Sequence, residues 1–274
     1  MKVTSLVENT CAPQARGLRK ELGLSMFIEH AGKRILFDTG ASDAFADNAA
    51  KLGIDLVAVD VAVVSHHHYD HGGGLRHFLL ANQHASVVMA QRPHGQCVFN
   101  LFGLRKEIGL DPSLFDEHAT RFTFVGGRVD ISHGVTVLTR IGTAFDEPRG
   151  NRLVLLSDGV TLRRDRFEHE LVMVLHDDDG LTVFTGCSHH GILNMVDACV
   201  KAFPGRPLKA VFGGFHLTML PMLPFMDGTR AEVAALARQL LTYSPQHVYT
   251  GHCTGAHAFK VLKSVMGARL EYFA

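Results

Sequence analysis

The ten residues Ser65-His66-His67-His68-Tyr69-Asp70-His71-Gly72-Gly73-Gly74 constrain this chain more than any other stretch. They follow the apolar run Val61-Ala62-Val63-Val64, which reads as a buried strand emptying into a loop. In extended backbone His66 and His68 project to the same side, because side chains alternate with a period of two. Asp70 and His71 follow on the turn, and three glycines then let the backbone approach whatever those side chains hold. Imidazole nitrogens with a carboxylate oxygen suit zinc or another first-row divalent ion. Four such donors within the six residues His66 to His71 exceed what one open catalytic ion takes, so the spacing predicts two ions. A histidine tag has a similar composition, but a tag does not sit between a Val-rich strand and a glycine turn.

The rest of the chain narrows the class. At 274 residues and 46% apolar content it supports one large core, and a single domain over 1–274 is expected. Lys+Arg and Asp+Glu are equal at 27 each, which argues against the basic face of a nucleic-acid binder. Cys11, Cys97, Cys187, Cys199 and Cys253 are scattered and odd in number, a pattern of reduced thiols rather than a disulfide framework. The first residues lack the apolar core of a signal peptide, and no apolar run approaches the roughly 18 residues of a membrane span. The expectation is a cytoplasmic protein with a small-molecule substrate and no membrane or nucleic-acid partner.

Strands are predicted at Val3–Val7, Leu24–Glu29, Lys33–Phe37, Val59–Val64, Ser86–Ala90, Phe122–Val125, Val135–Thr139, Leu153–Leu156, Leu171–Leu175, Leu181–Thr185, Lys209–Phe212, His247–Thr250 and Arg269–Tyr272. Helices are predicted at Ala44–Leu52, Leu75–Leu80, Ile192–Ala202, Thr229–Leu241 and Ala256–Val265. From Gln91 to His118 the apolar spacing is irregular and Pro93 and Pro112 interrupt it, so an insertion bordering the site is expected at about 91–120. Two blocks of strands interleaved with helices suit packed sheets with helices outside, an α/β (α+β) class.

The spacing His66-x-His68-x-Asp70-His71 resembles the signature of the metallo-β-lactamase superfamily, whose first two histidines hold one metal and whose Asp-His pair holds the second. Arg34-Ile35-Leu36-Phe37-Asp38-Thr39-Gly40, Val183-Phe184-Thr185-Gly186 and Tyr249-Thr250-Gly251-His252 are similar to further family segments, in the same order. The resemblance implies a four-layer αββα sandwich with the site on loops at one edge. It implies His252 as a ligand of the second metal, and Asp38 as a carboxylate that hydrogen-bonds a ligand imidazole and fixes its tautomer.

In many hydrolases of the family the segment matching Thr185-Gly186-Cys187 reads Thr-Gly-Asp, with the Asp bridging the metals. Cys187 is therefore either a thiolate ligand or a small buried cysteine at a strand end. Gly186-Cys187-Ser188-His189 resembles a subgroup labelled dihydropterin ribofuranosyl-aminobenzene phosphate synthase or metal-dependent hydrolase, and this makes His189 a metal ligand. His169, at a strand entrance, is the other candidate in the interval. His216, after Gly213-Gly214-Phe215, is a proton donor, a hydrogen-bond donor to an anion, or a structural loop residue. Thr254 and the helix that follows it offer donors for an anion. Phe215, Met219, Met222 and Phe225 belong to a Met-, Pro- and Phe-rich stretch that is either an apolar lid over a substrate pocket or a core-packed loop.

These residues predict a dinuclear hydrolase in which a hydroxide generated between two divalent ions attacks an ester, thioester, lactone or phosphoester. Asp70 would orient the nucleophile and His216 would serve the leaving group. The nitrogen-rich donor set favours Zn2+ over Mn2+ or Fe2+. The substrate is expected to be anionic with an apolar or aromatic part. The alternatives are a pterin- or phosphoribosyl-related synthase and a metal-dependent sensor without turnover.

Overall fold

Short Val-, Leu- and Phe-rich runs, broken by glycine and aspartate, build this chain largely from strands. The computed structural model describes residues 1–12, 15, 17–218 and 225–273. They fall into two compact units, Met1–Val125 with Leu153–Glu170, and Gly126–Arg152 with Leu171–Phe273.

The first unit contains a six-stranded sheet in the order Lys2–Val7, Ser25–His30, Lys33–Phe37, Val61–Val63, Ser86–Ala90, Phe122–Val125. The first three strands are antiparallel and the remaining pairings are parallel. Val61–Val63 is buried throughout, as an inner parallel strand must be when both faces are covered. Helices Ala44–Lys51 and Leu75–Ala81 place Phe45, Phe78 and Leu79 on a core with Leu36, Ala62 and Val87. Asn82, fully buried, ties down the chain entering this strand. Its amide donates to the carbonyls of Leu56, Val57 and Val59 at 3.0–3.1 Å, and its Oδ1 accepts the N–H groups of His84 and Ala85.

The second unit holds a seven-stranded sheet ordered Leu270–Tyr272, His247–Thr250, Leu208–Phe212, Gly180–Phe184, Val172–Asp177, Val135–Leu138, Arg128–Ser132. Its first four strands are parallel and the rest antiparallel. Helices Ile192–Ala202, Arg230–Thr242 and Ala256–Met266 cover it with Val196, Ala237 and Leu262 among their core residues. Thr229 opens the middle helix with a capping box. Its hydroxyl accepts the Glu232 N–H, and the Glu232 carboxylate accepts the Thr229 N–H.

The stretch after Gln91, whose apolar spacing is irregular, carries regular structure of its own. It forms an antiparallel hairpin, Gln96–Leu101 with Leu104–Glu107, and a short helix Ser113–Glu117. The hairpin joins Val154–Ser157 and Leu162–Arg164 in a four-stranded antiparallel sheet. Its outer strand, Leu-Arg-Lys-Glu, is exposed at every position, so it has no buried face to impose an apolar alternation. The edge strands Arg128–Ser132 and Leu162–Arg164 are likewise short, carry charged side chains and have no fully buried position. The segment then returns to the histidine loop, where Gly109 bridges His68 and the Ile108 carbonyl accepts the Tyr69 N–H at 2.8 Å.

Replacing Asn82 by Ala leaves several buried carbonyls and N–H groups unsatisfied and is expected to cost about 3 kcal/mol. Urea unfolding of the variant and the parent protein measures this, and an unchanged midpoint would show that water substitutes for the amide.

Candidate metal centre

In both units the candidate side chains follow the carboxyl ends of parallel strands. There the chain leaves the sheet and several loops converge, as in other open α/β sheets. Lys33–Phe37 delivers Asp38, Val61–Val63 delivers the histidine loop, Gly180–Phe184 delivers Cys187 and His189, Leu208–Phe212 delivers His216, and His247–Thr250 delivers His252. Asp38, Ser188, His216 and His252 all have left-handed backbone, with φ between 49° and 59°. Such conformations cost of order 1–3 kcal/mol each and persist only where the surroundings hold them.

Asp38, with no solvent exposure, organises the first unit's site. Its Oδ1 accepts the Ser65 N–H at 2.7 Å and its Oδ2 accepts the Ser65 hydroxyl at 2.8 Å. The same Oδ2 lies 2.6 Å from Nδ1 of His71. Having donated its proton to Asp38, the Ser65 hydroxyl accepts from Nδ1 of His66 at 2.9 Å. Both imidazoles are thus held with Nδ1 protonated, and each turns an Nε2 lone pair away from the network. His66, His68 and Asp70 present ligand atoms within 4.8 Å of one another. Two imidazoles and a carboxylate at that spacing fit a borderline divalent ion.

Asp70 and His71 lie on the single helical turn Tyr69–Gly72, with Asp70 Oδ2 3.8 Å from His71 Nε2. The glycines that follow serve the backbone rather than the donors. A Cβ at Gly73 would strike the carbonyls of Ala41 and Tyr69, and one at Gly74 those of Thr39 and Ser42. They let the loop close on the turn that carries Asp38.

Behind the loop stands a second buried group. His169 pairs its Nε2 with Asp165 at 2.9 Å, its Nδ1 accepts the His67 N–H at 3.3 Å, and Cys97 Sγ lies 3.8 Å from its Nε2. His169 therefore braces the backbone between His66 and His68. Burial, with His169 adding to it, pushes His67 and His68 down to about 3. Burial pushes the Cys97 thiol up, and the Asp165 charge adds to the effect. Burial alone would raise the Asp165 carboxyl, but the bond and charge of His169 together with the Phe167 N–H outweigh it and hold it low.

In the second unit His189 is buried, and its Nδ1 donates to Asn151 Oδ1 at 3.0 Å while the Asn151 amide donates to the His189 carbonyl at 2.7 Å. This orientation points to Nε2 as the lone-pair nitrogen of the ring. The His216 ring lies 4.3 Å from that of His189 and packs against Gly150, where a Cβ would sit 3.3 Å from Nε2. Among the described residues the buried His216 Nδ1 makes no hydrogen bond. Cys187 Sγ is 3.4 Å from His252 Nε2, and Cys187, His216 and Cys253 bring donor atoms within 4.8 Å of one another. Burial pushes the Cys253 thiol up, but its hydrogen bond with Cys187, joined by the influence of His252 and His216, more than reverses this and holds it well below the ordinary thiol range. A Cβ at Gly214 would collide with Cys253 Sγ, so the glycine permits this packing.

Phe215 lines a cavity of about 430 Å3 within this unit, with Phe145, Ile192, Leu217 and Asp227. Thr254 is fully buried, its hydroxyl accepting the Phe215 N–H at 3.0 Å and meeting Thr250 Oγ1 at 2.5 Å. Phe225 is 57% exposed, and Met219 and Met222 lie outside the described residues. Sequence reasoning missed Ser65 as a hydrogen-bond relay and Asn151 as the partner of His189. Ser65 at least adjoins the histidine run, whereas Asn151 has no local signal.

The model of the metallo-beta-lactamase superfamily matches residues 18–222. A curated relative from Methanocaldococcus jannaschii, named 7,8-dihydropterin-6-methyl-4-(beta-D-ribofuranosyl)-aminobenzene-5'-phosphate synthase, is 28% identical over 253 residues, 86% of this chain and 82% of the relative. The solved structure of a metal-dependent hydrolase of the beta-lactamase superfamily is 27% identical, with a TM-score of 0.81 over 98% of this chain and 94% of that one. A diphosphatase from the PhnP family shares the fold at 14% identity and a TM-score of 0.51, over 98% of this chain and 93% of that one. The mixed α/β sandwich class expected from the sequence is the fold found.

The depressed pKa values of His67 and His68 set a pH dependence. Above the unfolded value near 6.5 both rings are neutral in either state, and the full stability is present. As pH falls from about 6.5 toward 3 the unfolded chain binds protons that the folded chain refuses. Stability in chelator is therefore expected to drop in that window by up to about 3 kcal/mol per pH unit if both rings contribute. Urea midpoints at pH 7 and pH 5 test this, and equal midpoints would contradict it.

Proposed function

The chain belongs to the metallo-β-lactamase superfamily, and from that premise we propose that it is a metal-dependent hydrolase of small ester-type substrates, whether ester, thioester, lactone or phosphoester. The proposed ligands of two divalent ions are His66, His68, Asp70 and His71, with His189 and His252 completing the set and Cys187 as a further donor. The observation that carries the reading is the Asp38–Ser65 network, which fixes the tautomers of His66 and His71 so that Nε2 is the lone-pair nitrogen of each. An imidazole-rich set favours Zn2+, with Mn2+ and Fe2+ as the alternatives. When bound, such ions supply Lewis acidity, polarising the scissile group and making water acidic enough to act near neutral pH.

The chain's own side chains supply the rest. Asp70, with a half-buried carboxylate, accepts a hydrogen bond from the attacking water and orients it. His216 carries a proton on Nδ1 to the leaving group, an atom with no competing partner among the described residues. Phe215 and its neighbours exclude water from the apolar part of the substrate. No helix among the described residues is long and apolar enough to cross a membrane, and the scattered cysteines support a cytoplasmic setting. The name of the curated relative supports a second reading, a pterin-related synthase using the same residues.

Metal analysis of the chain as purified from metal-replete medium is expected to give close to two divalent ions. A folded chain without metal would sink the proposal. Turnover of an ester, thioester, lactone and phosphodiester panel, abolished by chelator, separates the hydrolase from the synthase. Asp38→Asn removes an acceptor that His71 and Ser65 share and is expected to weaken metal affinity about 10–100-fold in chelator competition. Unchanged affinity would reduce Asp38 to a purely architectural role.

A further inference from the structure

The first unit has a cavity of about 510 Å3 whose lining includes Arg92, Arg163, Arg164 and Arg166. They come from distant stretches. Arg92 follows the strand Ser86–Ala90, whereas the other three end the strand Leu162–Arg164 and occupy the turn after it. Leaving Arg164 aside, their charge is poorly offset. Asp165 also lines the cavity, but it is buried, with Oδ2 paired to His169 and Oδ1 accepting the Phe167 N–H at 2.7 Å. That leaves Glu168 as the other carboxylate on the wall. Among the described residues Arg92, Arg163 and Arg166 make no ion pair with a carboxylate. Arg92 lies 4.5 Å over the Phe115 ring, and Arg163 donates to the His94 carbonyl.

Like charges gathered around one cavity repel one another unless an anion joins them. Guanidinium forks match carboxylate and phosphate oxygens, and several forks on one wall suit the three terminal oxygens of a phosphate better than the two of a carboxylate. Lys+Arg and Asp+Glu balance over the chain, so the excess is local to this cavity and is not the stripe that tracks a nucleic-acid backbone. The inner wall is formed by His169, whose Nδ1 accepts the His67 N–H and whose ring lies 5.6 Å from that of His68. The cavity therefore backs directly onto the histidine loop.

We propose that this arginine cavity binds the phosphate group of a phosphomonoester substrate and anchors it beside the histidine loop. The assignment rests on the hydrolase reading for its purpose, since it names the substrate class of that site. Phenylphosphonate, a dianion that cannot be hydrolysed, and inorganic phosphate are the probes, titrated calorimetrically into the protein as purified. Metal content is measured on the same samples. In Arg163→Gln/Arg166→Gln, and separately in Arg92→Gln, phenylphosphonate affinity is expected to fall about tenfold or more with metal content unchanged. These side chains are exposed, so the variants are expected to fold as the parent does. Undiminished phenylphosphonate affinity in both variants would overturn the assignment, as would a site that takes inorganic phosphate but not the phosphonate. Absence of metal from the parent sinks the hydrolase reading by itself, whatever the arginine variants do.

Discussion

The buried carboxylate of Asp38 is the constraint from which the first unit's site follows. A carboxyl group without solvent exposure is costly unless its oxygens are fully engaged, and here they take the Ser65 N–H, the Ser65 hydroxyl and the His71 ring nitrogen. Those three bonds join the end of one parallel strand to the loop after the next. They also settle, through Ser65, which nitrogen of His66 faces outward. One carboxyl group thus fixes both the path of the backbone and the chemistry of two imidazoles. Gly73 and Gly74 belong to the same arrangement, because they let the loop lie against the turn that bears Asp38.

The two units reach a similar solution with different donors. Each has a mixed sheet that is antiparallel on one side and parallel on the other, and each places its candidate ligands after parallel strands. In the first unit a carboxylate orients the imidazoles, whereas in the second a neutral amide, Asn151, does this for His189. Sulfur appears there as well. The paired thiols of Cys187 and Cys253 add a softer, more polarisable element than the first unit presents around Asp70.

How much of this was legible in the sequence depended on where the physical cause lies. Inner strand Ser86–Ala90 appears as predicted, because burial on both faces demands a short apolar run, and Lys33–Phe37 and His247–Thr250 appear at their predicted bounds with exposed first residues. Leu104–Glu107, Arg128–Ser132 and Leu162–Arg164 were not legible, since edge strands are held by backbone bonds and carry charged side chains. The histidine loop stood out because its donors are adjacent in sequence. Asn151 and His189 are 38 residues apart and Arg92 lies far from Arg163, so only the fold brings them together.

The left-handed backbone at Asp38, Ser188, His216 and His252 has a consequence for how such a centre can vary. Apart from glycine, the residues that tolerate that conformation best are Asn, Asp and His. Asp and His are also side chains that can donate to a cation. At His252, main-chain geometry and donor chemistry therefore favour nearly the same few amino acids, whereas Ser188 shows that the turn alone does not dictate a donor. A lineage exchanging one donor for another here passes both screens at once, whereas β-branched or bulky apolar replacements fail both. The turns themselves restrict the alphabet from which new metal preferences can be written.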